Sequence, residues 1–240
     1  MTILGFDTSM AVTTACVLRH DGRAFSTAPP TPERLLGRPE HSAELLPMLA
    51  ALLEEAGIDW PDVEQLAVGV GPGTFTGLRI GVSTARGLAH ALGIGVSPVP
   101  SLAALAAGLE DLAGERPLLP LIDARRHQVF AALYRRRASG DAEWGPLALG
   151  REELLNRLTE LDPAPLAAGD WALESRADLE AAGVIVPPAD SGLHAVNALH
   201  VCRLAEAIEP VPPHGVKPTY VRLPDAEINR HTGGTGTTAS

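Results

Sequence analysis

The sequence predicts an α/β protein of two related lobes, and three observations carry that reading. Apolar hairpins followed by helical stretches occur twice, once from Ile3 and again from Leu118. Their order departs from the strict strand–helix–strand alternation of a doubly wound nucleotide fold. With 45% apolar side chains over 240 residues, the chain also has enough to build a substantial core.

The elements follow in order. Ile3 to Phe6, the polar turn Asp7-Thr8-Ser9, and Val12 to Leu18 read as strand, turn and strand. His20-Asp21-Gly22 closes the second strand, and Arg23 to Ser26 offers a third. Four prolines between Pro29 and Pro39 indicate a loop. A helix is expected from Ser42 to Ala56, with Gly57 as its C-terminal cap and a kink or loosening at Pro47. Leu66 to Val70 is a buried-type strand that runs through Gly71-Pro72-Gly73-Thr74-Phe75-Thr76-Gly77 into a helix ending near Leu92. A short strand at Val96 and a helix from Ser101 to Leu112 complete the first half.

Leu118 to Asp123 and Val129 to Arg135 open the second lobe as a hairpin. Helices are expected at Glu152 to Leu161, Ala177 to Ala182 and Ala195 to Ile208, then an extended segment from Lys217 to Arg222. The implied division is a first lobe over 1–105, completed by about 193–222, and a second over 106–192. The Gly/Thr/Ser-rich tail, 230–240, is expected to be disordered.

Composition excludes several classes. Nineteen Lys and Arg against 29 Asp and Glu give a formal charge of −10, so the chain lacks the basic balance of a protein that binds nucleic acid alone. The basic runs Arg125-Arg126 and Arg135-Arg136-Arg137 are short. Cys16 and Cys202 lie far apart in sequence, with no CxxC spacing, which argues against a disulfide framework or structural zinc. The N-terminal residues form neither a signal peptide nor a membrane span, so a cytoplasmic location is expected.

Two motifs could carry chemistry. A glycine-rich strand end that opens a helix presents unpaired N–H groups suited to a phosphate. Here Gly71, Gly73 and Gly77 are spaced GxGxxxG, and no Gly-Lys-Ser/Thr ending follows, so both common nucleotide fingerprints fail. The run reads equally as a tight structural turn. Asp7, Thr8 and Ser9 could hold a metal-bound phosphate, or form an ordinary turn. If both motifs bind, the expected ligand is ATP or ADP, held weakly by Asp7, Thr8, Ser9, Gly71, Gly73 and Thr74.

No metal or hydrolase pattern accompanies them. The eight histidines, at 20, 41, 90, 127, 194, 200, 214 and 231, include no pair three or four apart. HExxH and GxSxG are absent as well.

The helix from Ser42 carries Leu45, Leu46, Leu49, Leu52, Leu53 and Ala56 at helical spacing. That stripe can lie on the chain's own core or meet a partner helix.

Phe6-Asp7-Thr8-Ser9, His41-Ser42-Ala43-Glu44-Leu45-Leu46-Pro47, the run from Gly71 to Gly87, Asp123-Ala124-Arg125-Arg126 and Pro218-Thr219-Tyr220-Val221-Arg222 together resemble the TsaB (YeaZ) family of the glycoprotease-like superfamily. The likeness extends from residue 3 to about 227. It implies the two-lobed actin/Hsp70-like (ASKHA) ATPase fold with a duplicated β-sheet. It also implies a non-catalytic role beside the paralogue TsaD and the ATPase TsaE, which together move threonylcarbamoyl onto the adenosine beside the anticodon of ANN-reading tRNAs. Such proteins pair through N-lobe helices, as homodimers or with TsaD, so tRNA is met only in the complex.

The resemblance places the interface on the Ser42 helix, at His41, Leu45, Leu46, Leu49, Leu52 and Leu53, and on part of the Ile80–Leu92 helix. Leu49→Glu or Leu53→Glu is therefore expected to leave the monomer folded while preventing pairing. Aligned from the glycine run, the HxxxH metal pair of TsaD falls here on Ser101 and Leu105, which cannot replace it. No metal and no catalytic residue are expected. The rival is an independent nucleotide-hydrolysing enzyme of the same fold, acting through Asp7 and the glycine loop. His127-Gln128 departs from the family's usual Gly-Glu.

Overall fold

A computed structural model describes residues 1–135, 138 and 141–222, so the tail expected to be disordered lies outside it. Strands β1 (Ile3–Asp7), β2 (Thr14–Leu18) and β3 (Ala24–Ser26) form an antiparallel meander. Parallel to β1 lies β4 (Gln65–Gly69), and parallel to β4 lies β5 (Val96–Val99), giving the order β3-β2-β1-β4-β5.

Buried parallel strands need cover on both faces. On one face Leu4, Phe6, Val17, Leu66 and Val68 pack with helices α2 (His41–Ala56) and α3 (Phe75–Leu92). On the other, Ile3, Cys16 and Ala67 cluster with Ala198, Val201 and Cys202 of the late helix α9 (Ala198–Ala205). Gly5 is needed there, because a side chain would run into Cys202 Sγ at 2.5 Å. Cys16 and Cys202, so distant in sequence, share this layer, and the Cys202 thiol donates to the Cys16 carbonyl at 3.6 Å.

The second sheet repeats the first. Antiparallel strands β6 (Leu118–Arg125), β7 (Gln128–Leu133) and β8 (Trp144–Gly150) are followed by β9 (Leu166–Ala168), which is parallel to β6. A single parallel bridge from Leu166 to Ile185 stands where a fifth strand would lie. Helices α6 (Arg151–Leu158), α7 (Asp170–Glu174) and α8 (Arg176–Ala181) cover one face, with Leu154, Leu158, Trp171 and Leu179 packed on Leu119, Leu121 and Val129. The other face meets helix α4 (Ser101–Ala107), whose Leu102 and Leu105 share a core with both sheets. This is the two-lobed, duplicated α/β fold that the sequence predicts.

Several elements differ from expectation. The proline-rich loop contains one helical turn, α1 (Pro32–Leu35), begun by a proline and capped by Thr31 Oγ1, which accepts from Arg34 N at 3.4 Å. The helix expected to reach Leu112 stops at Ala107, and α5 (Glu110–Ala113) resumes beyond Gly108. The last helix starts at Ala198, three residues late, because Asn197 Oδ1 caps it from Leu199 N at 2.9 Å. Helix α2 continues through Pro47 to Gly57, which takes the left-handed conformation (φ 66°) expected of its cap. Among the described residues no helix is long and apolar enough to cross a membrane.

Candidate functional site

The six candidate phosphate-binding residues do meet, and they occupy one another. Asp7, at the end of β1, is buried. Its Oδ1 accepts from Ser9 N (2.7 Å) and Ser9 Oγ (2.6 Å), while Oδ2 accepts from Ser101 Oγ (2.6 Å). Ser101 Oγ in turn accepts from Gly71 N at 3.1 Å. Thr74 N donates to the Ser9 carbonyl (2.7 Å), and Thr8 Oγ1 donates to the Gly77 carbonyl (2.8 Å).

The glycines allow this contact. A Cβ at Gly69 would overlap the Asp7 carboxylate, one at Gly73 would sit 2.5 Å from the Ser9 Cβ, and ones at Gly77 and Gly81 would overlap Thr8. Gly71 also has a left-handed φ of 103°. The run therefore lies directly on the Asp7-Thr8-Ser9 turn. Of the two readings open at this motif, the tight structural turn is the one the geometry fits.

Ser101 and Leu105 are the residues that the resemblance sets against the metal pair of TsaD. Both are buried: Ser101 is hydrogen-bonded to Asp7, and Leu105 belongs to the core. The role of Ser101 was invisible in the sequence, because its partners lie 94 and 30 residues away.

The leucine stripe requires a correction. Leu45, Leu49, Leu52 and Leu53 are all at most 5% exposed and pack on the chain's own sheet, so they cannot meet a partner. His41 is 2% exposed; its Nδ1 bonds Thr13 Oγ1 at 2.8 Å and its Nε2 has no partner. Burial pushes the His41 imidazole below its usual range, and the Asp7 carboxylate only partly opposes this. Of the six expected interface residues only Leu46 faces outward, 52% exposed. Beside it on α2 lie exposed Ala43, Pro47 and Ala50, and Ser83 and Gly87 are exposed on α3. Leu46 and part of the Ile80–Leu92 helix were expected there, whereas Ala43, Pro47 and Ala50 were not, since alanine and proline give weak contrast beside leucine.

The C-terminal segment joins the two lobes. Thr219 N donates to the Val70 carbonyl (2.7 Å), and the Tyr220 ring lies 5.2 Å from that of Phe75. Arg79 sits over Phe75 at 3.6 Å and donates to Tyr220 Oη at 3.2 Å. Arg222 Nη1 then reaches Gln128 Oε1 at 3.0 Å, which gives the unusual Gln128 a structural partner.

In the second lobe Asp123 holds the tip of the β6–β7 hairpin. Beneath it, Asp170 Oδ1 accepts from Asp123 N and Trp171 N, both at 2.8 Å. Burial raises the Asp170 carboxyl from 3.8 to about 7. The folded chain thus keeps a proton that the unfolded chain has lost between about pH 4 and 7. Stability falls as pH rises through that window, by at most about 4 kcal/mol at roughly 1.4 per unit. Asp170→Asn should flatten this slope. Urea unfolding at pH 4.5 and 7.5 reads it, and parallel pH profiles for parent and variant would contradict the assignment.

Comparison with known proteins places the chain. The family model of TsaD, tRNA N6-adenosine threonylcarbamoyltransferase, matches residues 35–156. The tRNA threonylcarbamoyladenosine biosynthesis protein TsaB of Bacillus subtilis is 31% identical over 229 residues, covering 95% of this chain and 96% of that protein. The Escherichia coli TsaB is 30% identical over 92% of this chain and 95% of its own length. A solved structure, YeaZ from Pseudomonas aeruginosa, superposes with a TM-score of 0.72 at 28% identity, covering 91% of this chain and 99% of that one. The likeness extends over both lobes and includes the glycine run that seals Asp7, and on it the chain belongs to the TsaB (YeaZ) family, related to TsaD.

Proposed function

We propose that this chain is a non-catalytic partner of a TsaD-like transferase, working with a TsaE-like ATPase to place threonylcarbamoyl on the adenosine beside the anticodon of ANN-reading tRNAs. The names of its relatives support the pathway. Within that pathway, the sealed Asp7 turn and the Ser101 and Leu105 positions support action by contact rather than by chemistry. At a net charge of −10, the chain leaves most of the tRNA contacts to its partners in the cytoplasm.

The observation that carries this reading is the outward face of α2 and α3. Leu46, Ala43, Pro47 and Ala50 form an apolar patch on one side of α2, and Gly87 on α3 has open space above it. Small residues let a second helix approach closely, and Leu46 supplies an anchor. The same face can close a homodimer when the chain is alone.

Leu46→Glu tests it. The side chain is half in solvent, so stability should change by no more than about 0.5 kcal/mol. Co-elution with the TsaD-like subunit should be lost on size exclusion, and threonylcarbamoyl transfer by the reconstituted proteins should drop with it. Undiminished co-elution would overturn the assignment of this face.

A further inference from the structure

Of the chain's aromatic side chains only Phe75 and Tyr220 are exposed, at 37% and 41%. They lie against each other, with ring centres 5.2 Å apart and planes tilted by 34°. Phe75 opens α3, while Tyr220 arrives from the C-terminal segment. Arg79, one turn along α3, lies over Phe75 at 3.6 Å and donates through Nε to Tyr220 Oη at 3.2 Å.

Folding alone does not account for this cluster. Full burial of a ring such as Phe75 would gain roughly 1.5–3 kcal/mol, and here much of that gain is left unused. The segment that carries Tyr220 is fixed from both sides. Thr219 N donates to the Val70 carbonyl at 2.7 Å, and Arg222 Nη1 donates to Gln128 Oε1 at 3.0 Å. Ring and hydroxyl then hold Arg79 in place. Side chains already fixed lose little freedom when a partner arrives.

The chemistry left on offer is apolar and cationic. Arg79 spends Nε on Tyr220, and among the described residues its Nη atoms carry no hydrogen bond or ion pair. Those N–H groups suit a carboxylate. The outward side of α3 runs on from the cluster: Arg79, Ser83, Arg86, Gly87 and His90 are exposed, opposite the buried Leu78, Val82, Ala85 and Ala89. The helix has no acidic residue, although the whole chain has a formal charge of −10. Tyrosine, phenylalanine and arginine are the residues enriched where proteins bury surface against one another. Stacking of an RNA base is disfavoured, since Arg79 already covers a face of Phe75.

We infer that Phe75, Arg79 and Tyr220 form a composite anchor on which the TsaD-like subunit seats an apolar side chain beside a carboxylate. The inference rests on the partner role proposed above and adds the C-terminal segment to it. The outward stripe of α3 makes the anchor continuous with the face that holds Ser83 and Gly87.

Pairing of the full chain with the TsaD-like subunit is measured by calorimetry at low and at near-physiological salt. Arg79→Glu should weaken it about tenfold or more, and Tyr220→Ala about fivefold or more. Arg79→Gln should also reduce the salt dependence of the affinity, which lost packing alone would not change. Arg157→Gln, which removes an exposed charge from α6, should leave pairing as it is. Thermal midpoints of the two Arg79 variants should stay close to that of the parent, because the side chain is exposed. If Leu46→Glu abolished pairing while Arg79→Glu and Tyr220→Ala bound like the parent, the anchor would be overturned and the α2 face would stand. Failure of the parent chain to pair would remove both. Loss of self-association alone, or of tRNA binding alone, in Arg79→Glu would assign the surface to a second copy or to RNA, and the inference would fall.

Discussion

Leu49→Glu should leave the chain without its fold at 25 °C, whether or not a partner is present. Leu49 is 0% exposed and belongs to the cluster of Leu4, Phe6, Val17 and Val68 between α2 and the first sheet. Loss of the leucine from such a place costs roughly 2–5 kcal/mol. The carboxylate adds the penalty of a buried charge with nothing to pair it, again several kcal/mol. Together these approach the whole stability of an ordinary domain, about 5–15 kcal/mol. Far-ultraviolet circular dichroism and a thermal scan decide the matter, with Leu46→Glu alongside as the substitution the same helix should tolerate. A Leu49→Glu protein that melted within a few degrees of the parent, yet no longer paired, would restore the stripe to the interface.

The glycine run should split in two when its members are replaced by alanine. At Gly77 the new methyl group would overlap the Thr8 carbonyl oxygen and stand 2.5 Å from Thr74 Oγ1 and 3.2 Å from His41 Nε2. Backbone cannot swing aside as the end of a flexible side chain can. Either α3 or the Asp7-Thr8-Ser9 turn has to move, and the hydrogen bonds of Asp7 move with it. Overpacking of this kind costs about 1–3 kcal/mol and more against a fixed backbone, so we expect roughly 3 kcal/mol or above. At Gly87, ten residues along the same helix, nothing lies within 4 Å of the added atom. There alanine relieves the entropic cost of glycine in a helix, gaining about 0.5–1 kcal/mol. Urea midpoints of the two variants should shift in opposite directions. A Gly77→Ala midpoint at or above that of the parent would mean that the run does not rest on the turn.

Much of this protein is legible along the chain. The two hairpins are strong alternations of apolar strand and polar turn, and the helices from His41 and Phe75 end at glycines in the left-handed conformation, as their C-caps demand. The harder parts are short or weakly contrasted. Strand β9 is three residues, Leu166–Ala168, too brief for any period to register, and α7 spans five. Strand β8, with its Gly-Pro pair and half-exposed pattern, shows no clear strand period along the chain. Its place as the outer strand of the second sheet comes from pairing with β7.

From sequence alone come the family likeness, the order of strands and helices, the motif residues and the negative charge, since all of these are properties of neighbours or of sums. The tertiary structure decided which of those residues are available. Leucines at helical spacing reveal that a helix has an apolar side, but only packing says that the sheet, not a partner, covers it. Aspartate turns recur in both halves, and only contacts across about 70 residues close the first while the second stays open. Local pattern sets which surfaces must be covered; long-range contact sets by what.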